Sequence, residues 1–395
     1  MLIAGIISEY NPFHLGHEAL IQSTRAAGAT HIAAVMSGNY VQRGEPAVLS
    51  KWARARQALL NGVDLIVELP LPWAISGAEK FAFGGVSILD ALGADRLSFG
   101  SESGDAQELA GIADILLSEA FRREIRMEVQ TGLSFARARQ NAVARLCGPE
   151  KASLLEKPNN ILAIEYLKAL QTIPSPMIPF TISRVGPGHD SEKTLQGIAS
   201  ASQIRSLLHK GEGYSELMPQ SAAAILQEEI RSGRAPSSLS RMERAVLAKL
   251  RVMNRNEFAQ LPDVREGLEN RIFDAVQKAY TLEEVYRLSK TKRYTHARIR
   301  RIVLSAFLGL TSDMCEGVPP YIRVIGLNSR GAEILRLAKQ KNKIPVISHA
   351  SDVFALDNRA RNVFELESRA TDLYALCLPK AAECGLDRTT GIISV

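Results

Sequence analysis

The stretch IISEYNPFHLGHEAL, residues 6–20, decides the fold that the sequence predicts. Its apolar beginning continues the run LIAGII, residues 2–7, and is typical of a buried strand. A polar turn follows, and the string HLGH at 14–17 opens a helical pattern from about Gly16. A strand, a turn and a helix start in this order predict the first unit of a parallel α/β sheet.

The same alternation continues through the first hundred residues. Strands are predicted at 31–37, 64–69 and 95–99, with helices at 51–60 and 78–92. This spacing requires crossover helices, so it predicts a doubly wound, parallel-sheet α/β domain of the Rossmann-like type. Ligands of such sheets lie at the carboxyl ends of the strands. We therefore expect the site in the segments that follow them, at 8–17, 37–45, 70–73 and 100–102.

The rest of the chain favours helices. Residues 105–171 are predicted to be mostly helical, followed by a strand at 177–185 and a helix at 200–208. The segment 211–240 contains Gly, Ser and Pro and is predicted to be a hinge or boundary. Helical patterns then continue to about residue 310, and a small parallel pair of strands is an option for 321–327 and 344–348. Two domains are predicted, 1–225 and a mainly helical α+β domain at 226–395.

Composition excludes several classes of protein. The 395 residues are 46% hydrophobic and 23% charged, which suits a sizeable core and argues against disorder. The four cysteines form no C-x-x-C pair, so neither a disulfide scaffold nor a zinc ribbon is indicated. The first apolar run is too short and wrongly flanked for a signal peptide, and no stretch approaches the roughly 20 apolar residues of a membrane span. We expect a soluble cytoplasmic protein without a membrane partner.

The histidine pair carries the strongest chemical signal. His14 and His17 lie three residues apart at a helix start and so share one face, beside backbone N–H groups that attract phosphate. Gly16 lets a phosphate or a base approach the backbone closely. Such a pair can stabilise charge on an α-phosphate during nucleotidyl transfer. A metal site and a structural role stay open, although H-x-x-H lacks the zinc-helix spacing and no nearby Cys or further His completes a ligand set.

The chain contains neither G-x-x-x-x-G-K-[ST] nor G-x-G-x-x-G, so Walker ATPases and dinucleotide enzymes lose their main support. The strand, turn and H-x-G-H helix instead resemble the HIGH-type nucleotidyltransferase superfamily. In that superfamily a second motif, S-x-x-x-I-R, often opens a later helix and holds the leaving phosphates. Residues 200–205 are SASQIR, for which an ordinary serine-capped helix start is the alternative.

A second chemical signal is the segment RLSKTKRYTHARIRR at 287–301. It contains seven basic residues and no acid, and Tyr294 and His296 lie among them. Cations with rings between them suit contacts to phosphates and stacking on bases, whereas a solvated helix face is the alternative. The residues predicted to contact nucleic acid or another polyanion are Lys290, Lys292, Arg293, Arg298, Arg300 and Arg301.

Six strings in order narrow the resemblance. EYNPFHLGH, MSGNYVQRGEPAVLSKWAR, DLIVELP, FGSE, KPNNIL and RYTHARIRR resemble the tRNA(Met) cytidine acetate ligase family over most of the chain. The resemblance implies that ATP activates acetate as acetyl-adenylate, and that the acetyl group passes to N4 of the wobble cytidine of elongator tRNA(Met). Because two anions react, Mg²⁺ is an expected cofactor. The predicted domain 1–225 would bind ATP and catalyse, and 226–395 would bind the tRNA.

The resemblance also implies an ATP site. Its wall would be Ile7, Ser8, Glu9, Tyr10, Asn11, Pro12, Phe13, His14, Leu15, Gly16, His17, Glu18, Ala19 and Leu20. Gly100, Asn159, Arg184 and Val185 would complete it. His14, His17 and Arg184 are the expected catalytic residues, since they can offset phosphate charge. A turn glycine, a helix cap and a surface ion pair stay open for Gly100, Asn159 and Arg184.

Between the second and third strands, polar residues are predicted to form a lid and part of the acetate and cytidine pocket; a solvated loop is the alternative. These residues are Ser37, Asn39, Gln42, Arg43 and Lys51. Two positions depart from the family pattern. VGPGHDSE follows Arg184 where a Tyr-His-Asp string is expected, and Tyr40 stands where Phe is expected.

Two other functions stay open. A small-molecule nucleotidyltransferase would explain the first domain but leave 287–301 unused. A non-catalytic RNA-binding protein would not need the intact H-x-G-H string.

Overall fold

The structure, a computed structural model, describes residues 1–184, 199–265 and 267–395. The strands in these ranges are β1 (Ile3–Ser8), β2 (His31–Ser37), β3 (Tyr40–Val41), β4 (Glu45–Pro46), β5 (Leu65–Leu69), β6 (Arg96–Ser101), β7 (Ile178–Ser183), β8 (Ile322–Leu327), β9 (Val346–Ile347) and β10 (Ile393–Ser394).

The α-helices of the N-terminal part are α1 (Leu15–Ala26), α2 (Lys51–Leu60), α3 (Leu71–Ala74), α4 (Ala78–Leu92), α5 (Ala106–Leu117), α6 (Glu119–Gln130), α7 (Phe135–Cys147), α8 (Pro149–Ser153), α9 (Pro158–Thr172), α10 (Ala201–Lys210) and α11 (Gln220–Arg231). Those that follow are α12 (Glu243–Val252), α13 (Arg255–Ala259), α14 (Leu268–Lys278), α15 (Leu282–Ser289), α16 (His296–Leu308), α17 (Ser329–Lys341), α18 (Asn358–Ala375) and α19 (Leu386–Thr389). Short 3-10 helices lie at Leu154–Glu156, Ser215–Leu217, Leu239–Met242, Ser312–Cys315 and Ala350–Ala355.

The main sheet has the strand order β10-β8-β5-β2-β1-β6-β7, with β9 paired to β8. β1 is parallel to β2 and β6, with Ile3 opposite His31 and Ala4 opposite Arg96. β2 is parallel to β5, and β6 to β7. The strands that follow β1 in the chain are added first on one side of it (β2 and β5) and then on its other side (β6 and β7). This reversal of strand order opens a crevice at the carboxyl ends of β1 and β6. This arrangement confirms the predicted doubly wound sheet.

Two apolar cores cover the sheet, because successive residues of a strand point to opposite faces. Ala33 and Leu65 pack on one face with α4, α9 and α17, and Ile32 and Ile66 pack on the other with α1 and α2. All of β2 is buried. A strand covered on both faces explains why residues 31–37 are mostly apolar instead of alternating.

Helix ends follow capping chemistry. The Ser50 hydroxyl accepts the Ala53 N–H at the start of α2 (3.2 Å), and the Ser200 hydroxyl accepts the Gln203 N–H at the start of α10 (3.1 Å). α4 ends at Gly93, whose φ of +80° is accessible to glycine at little cost. The predicted helices at 51–60 and 78–92 coincide with α2 and α4.

The C-terminal half is mainly helical, as predicted, but its strand β8 belongs to the main sheet. β8 pairs antiparallel with β5 and so joins the main sheet, although β8 and β9 do form the small parallel pair. The expected hinge at 211–240 contains α11, whose Ala222 and Leu226 are buried in the core beside α2. Residues 226–395 thus contribute strands to the same sheet as residues 1–225. A domain boundary near residue 225 stays a proposal, and it would separate only the helices that follow this position from the sheet.

That helical part, which we call the helical unit (residues 239–308), has its own core. Val246, Phe258 and Ile272 are completely buried in it. α16 contributes Ile299 and other apolar residues, while its arginines lie on the partly exposed side. Among the described residues, no helix combines the length and apolar character that a membrane crossing requires.

Candidate active site

A cavity of about 150 Å³ lies at the carboxyl ends of β1, β6 and β7. The predicted residues that line it are Ile7, Ser8, Glu9, Tyr10, Asn11, His14, His17, Leu20, Gln42, Arg43, Gly100, Asn159 and Arg184. The lining also includes apolar and aromatic side chains and one further arginine, namely Ile6, Phe81, Phe99, Leu162, Tyr166, Ala201 and Arg205. The fold therefore brings together segments that are more than 150 residues apart in the chain.

Some residues of the predicted ATP site lie elsewhere. Those in the turn and in the first two turns of α1 that do not line the cavity are Pro12, Phe13, Leu15, Gly16, Glu18 and Ala19. Val185 and the VGPGHDSE departure lie outside the described residues.

His14 and His17 cap α1 reciprocally. His14 Nδ1 accepts the N–H of Gly16 (3.0 Å), and His17 Nδ1 accepts the N–H of His14 (3.2 Å). The two rings stack, with centroids 3.8 Å apart. Because each Nδ1 accepts a hydrogen bond, the neutral imidazoles carry their protons on Nε2. The two histidines therefore have a structural role, which is to cap α1. Any contact with a phosphate would come from their Nε2–H groups.

The turn before α1 fixes these rings. Tyr10 has a φ of 45°, a conformation that a bulky residue adopts only when its surroundings enforce it. Its ring lies edge-on to His17, with centroids 4.9 Å apart, and 5.1 Å from the ring of Phe13. Tyr10 and Phe13 are both buried. Their packing therefore sets the orientation of the His17 imidazole.

Arg184 is held at the cavity by a chain of hydrogen bonds. Its Nη1 donates to Asn159 Oδ1 (2.9 Å), and Asn159 Nδ2 donates to Glu102 Oε1 (2.7 Å). Glu102 also accepts the N–H groups of Asn159 and Asn160 at the start of α9, where helical N–H groups lack partners. A Cβ at position 100 would lie 2.9 Å from Arg184 Cγ. Gly100 therefore leaves the space that Arg184 occupies.

The segment between β2 and α2, residues 38–50, is called the hairpin segment here because β3 and β4 pair within it. The N–H of Gln42 donates to the Glu9 carboxylate (2.8 Å) at the cavity. Burial raises the pKa of Glu9 above its ordinary value, and the Gln42 hydrogen bond partly opposes that shift. Buried Arg54 donates to the carbonyl oxygens of Glu9 (2.6 Å) and Ser37 (3.0 Å), joining the ends of β1 and β2.

Lys51, predicted to belong to the acetate and cytidine pocket, does not line the cavity. Its Nζ lies 2.7 Å from Glu68 Oε2 and 2.6 Å from Asp387 Oδ1, with 1% of the residue exposed. A buried ammonium needs such partners because desolvation is costly. Ser37 and Asn39 are likewise buried outside the cavity, and Asn39 Oδ1 accepts the N–H of Lys51 (2.8 Å). Of that predicted pocket, only two residues line the cavity: Gln42 and Arg43.

The ion cluster around Lys51 extends to α18. Arg323 Nη1 lies 3.0 Å from Asp387 and 3.4 Å from Glu68. Tyr321 donates its hydroxyl to Glu367 Oε2 (2.5 Å). Burial, with the nearby Glu68 carboxylate as a second cause, raises the pKa of Glu367 to about 8. The cluster joins the sheet to the C-terminal helices.

The S-x-x-x-I-R string, residues 200–205, both starts the helix α10 and contributes a side chain to the cavity. Ser200 is the cap of α10, as the structural alternative predicts. Arg205, one turn later, lines the cavity and donates from Nη1 to the carbonyl oxygen of Asn11 (2.9 Å). Its Nη2 lies 3.7 Å from Glu45 in the hairpin segment. The second motif therefore meets the first at the turn before α1.

The cations of the basic segment (residues 287–301) differ in their exposure. Arg298 Nη2 donates to the carbonyl oxygen of Asp263 (2.6 Å), and Arg301 Nη2 lies 3.2 Å from the Asp263 carboxylate. Both of these arginines are half-buried. The exposed cations of the segment are Arg287, Lys290, Lys292 and Arg293.

The hairpin segment packs directly on α16. Gly44 has a φ of +76°, and a Cβ there would lie 2.5 Å from the backbone N of Arg301. Arg300 Nη1 lies 3.9 Å from Glu45 Oε2, and its Cζ lies 5.4 Å from the centroid of the Tyr286 ring. The basic helix thus touches the segment that contributes Gln42 and Arg43 to the cavity.

Comparison with known proteins identifies the family that has this fold and this site. The model of the HIGH nucleotidyl transferase family matches residues 1–388, so fold and site define a HIGH nucleotidyl transferase. A tRNA(Met) cytidine acetate ligase of Thermoanaerobacter sp. (strain X514) is 41% identical over 396 residues, which cover 98% of each chain. One from Acetivibrio thermocellus is 39% identical over 413 residues, covering 100% of each. The chain belongs to the tRNA(Met) cytidine acetate ligase family, which confirms the resemblance seen in the sequence.

Solved structures agree. The apo crystal structure of Thermotoga maritima TmcAL (form I) matches with a TM-score of 0.95 and 33% identity over 100% of both chains. The structure of the same protein bound with alpha-thio ATP (form II) matches with a TM-score of 0.93, at the same identity and coverage. The similarity therefore includes the C-terminal half.

Proposed function

We propose that the protein is an ATP-dependent ligase that activates acetate as acetyl-adenylate and acetylates N4 of the wobble cytidine of elongator tRNA(Met). The observation that carries this proposal is the cavity at the reversal of strand order, where His14, His17 and Arg184 line one space. The names of the relatives support the substrate, and the ligand of the Thermotoga protein supports ATP.

The first step joins two anions. An acetate oxygen attacks the α-phosphorus of ATP, and the bond from that phosphorus to the bridging oxygen of pyrophosphate breaks. Positioned hydrogen-bond donors lower such a barrier because they offset the charge that develops on the phosphates. The Nε2–H groups of His14 and His17 and the guanidinium of Arg184 would supply these donors. Asn159, which accepts from Arg184, is a positioning residue in this scheme.

Mg²⁺ is the expected counter-ion of the leaving pyrophosphate. Mg²⁺ in nucleotide sites is held by one or two carboxylates together with phosphate oxygens and water. Among the described residues that line the cavity, Glu9 is the one carboxylate, and the described ranges hold no group of three or more His, Cys, Asp or Glu arranged around a metal. This donor set fits an ion that ATP would hold for the most part, and Glu9 would be the residue of the cavity that could bind it. When bound, the ion would neutralise charge on the leaving group.

The second step transfers the acetyl group. N4 of cytidine attacks the carbonyl carbon of acetyl-adenylate, the bond to the AMP oxygen breaks, and the amine loses a proton. AMP is a good leaving group, so no covalent enzyme intermediate is needed. The base must leave its stack to reach the adenylate. The exposed cations of the basic segment would hold the tRNA backbone, in the cytoplasm where tRNA and ATP are present.

The test is incubation of the protein with ATP, Mg²⁺, labelled acetate and total tRNA, followed by nucleoside analysis. We expect label in N4-acetylcytidine, and its loss in His14→Ala and His17→Ala. His14→Asn separates the two roles of that residue, since asparagine caps a helix well but lacks the imidazole Nε2–H. His349→Ala, at an exposed histidine outside the cavity, is the matched control and should stay active.

Two outcomes would overturn the proposal. Pyrophosphate release that depends on ATP but on another acceptor, without acetylated nucleoside, would indicate a small-molecule nucleotidyltransferase. Full activity in His14→Asn and His17→Ala would remove the histidine pair from the chemistry.

A further inference from the structure

A second cleft, of about 770 Å³, adjoins the ATP cavity. Its walls come from the hairpin segment, from α10 and from the helical unit. Arg43 and Arg205 line both spaces. The two spaces therefore meet at this pair of arginines.

The cleft has the side chains that bind a nucleotide. Its cationic and imidazole groups are Arg43, Arg205, Arg300 and His209, and hydroxyl groups line it at Ser202, Ser206 and Ser240. Cations pair with phosphates, and hydroxyl groups bond to sugar and base edges. Arg300 lies against the ring of Tyr286, and bases in single-stranded RNA stack on both kinds of plane.

The carboxylates of the cleft already have partners. Glu45 and Glu283 lie 3.9 Å and 4.0 Å from the guanidinium of Arg300. Glu243 accepts the N–H of Leu282 (2.9 Å). These contacts reduce the repulsion that a phosphate would otherwise meet.

The volumes of the cavity and of the cleft indicate which substrate each of them can hold. Sites for small ligands are commonly about 300–1,000 Å³. The ATP cavity, at about 150 Å³, has no room for a second nucleotide, whereas the adjoining 770 Å³ has room for a nucleotide and its flanking phosphates. The acceptor base therefore needs the larger cleft.

We propose that this cleft binds the RNA nucleotide that is to be acetylated. The base enters between α10 and the helical unit, and Arg43 and Arg205 stand where it meets the adenylate. The backbone would continue along the exposed cations, since Lys290 follows α15 directly and donates its N–H to the carbonyl oxygen of Tyr286 (3.0 Å). This inference rests on the proposed function and names the acceptor subsite of that same reaction.

Adjacent residues of α10 provide the test. His209 lines the cleft and Lys210 does not, while both are exposed. His209→Glu puts a carboxylate beside the RNA phosphates, and Lys210→Glu makes a larger change in net charge on the same helix. The KM for a tRNA(Met) transcript is measured by acetylation, and acetate-dependent exchange of pyrophosphate into ATP is measured without tRNA. Thermal unfolding checks that both variants are folded.

We expect His209→Glu to raise the KM for tRNA about tenfold or more, because like charges at an interface are unfavourable, and Lys210→Glu to change it less than threefold. The pyrophosphate exchange rate should follow the wild type in both. An unchanged KM in His209→Glu would overturn the inference, as would equal increases in the two variants. A wild-type protein that exchanges pyrophosphate but never acetylates tRNA would instead refute the proposed function, and the inference with it.

Discussion

Gly100 controls Arg184 through space alone, so Gly100→Ala tests the site without touching a functional group. The new Cβ would lie 2.9 Å from Cγ and 3.2 Å from Cδ of Arg184. Carbon atoms pack at about 3.5–4.0 Å, so the arginine side chain must move by roughly 1 Å near its base and further at its guanidinium. The hydrogen bond from Arg184 Nη1 to Asn159 (2.9 Å) would then break.

A hydrogen bond made by a charged group contributes about 1.5–3 kcal/mol. Loss of a comparable contact to ATP predicts a KM for ATP that rises roughly ten- to hundredfold, measured by acetate-dependent exchange of pyrophosphate into ATP. The melting temperature should change little, since the group that must move is a flexible side chain. Gly111→Ala is the matched control, because nothing lies within 4 Å of that Cβ. Arg184→Ala should add little to the effect of Gly100→Ala, since both disrupt one contact.

A wild-type KM for ATP in Gly100→Ala would refute this reasoning. So would full additivity in the Gly100→Ala, Arg184→Ala double variant, since the glycine would then act on something else.

Three further predictions concern other parts of the molecule. Gly44→Ala should lower the free energy of unfolding by about 2–4 kcal/mol in denaturant titrations, because strain at positive φ adds to a backbone clash with α16; Gly28→Ala, also at positive φ but in open space, should cost about 1 kcal/mol. The pKa of Glu367 is about 8 against an ordinary 4.5, so the native state binds that proton more tightly and loses stability as the pH rises between these values. Glu367→Gln should therefore flatten the fall in melting temperature from pH 6 to pH 8. Lys290→Ala with Lys292→Ala should reduce the slope of log K for tRNA against log salt by about 2.

Each of these has a contradicting outcome. Equal destabilisation by the two glycine variants would mean that contact with α16 does not matter. An unchanged pH slope in Glu367→Gln would assign the titration to another group. If alanines at Arg336 and Lys339, which are exposed on α17, reduced the salt slope as much as those at Lys290 and Lys292, the basic segment would have no special role.

Local patterns predicted the nucleotide-binding half of the fold well. Residues 31–37 and 51–60 could be assigned because burial on both faces and capping are properties of neighbouring residues. β8 was not placed in the main sheet, since its pairing with β5 joins residues about 250 positions apart and leaves no local signal. The burial of α11 beside α2 likewise leaves no local signal, and the Gly and Pro residues around this helix favour the predicted hinge or boundary instead.

In the candidate site, too, local sequence patterns predict some residues, whereas others depend on contacts with distant parts of the chain. His14, Gly100, Asn159 and Arg184 follow strands or start helices, and the structure brings them together at one cavity or its wall. Lys51 was misplaced because a lysine at a helix start is usually solvated, and its partners Glu68 and Asp387 come from distant elements. Arg54 is not among the predicted site residues. Glu102, which directly follows β6, falls in the predicted site segment 100–102, but no role is predicted for it.

The position of β8 has a consequence for synthesis of the chain on the ribosome. β5 is complete at Leu69, but the strand that covers its outer edge begins at Ile322. At translation rates of about 5–20 residues per second, that edge waits roughly 10–50 s for its partner. An uncovered apolar edge strand invites pairing with other chains. Fragments that end before β8 should therefore associate with one another or with chaperones, however well the five parallel strands β1, β2, β5, β6 and β7 are formed.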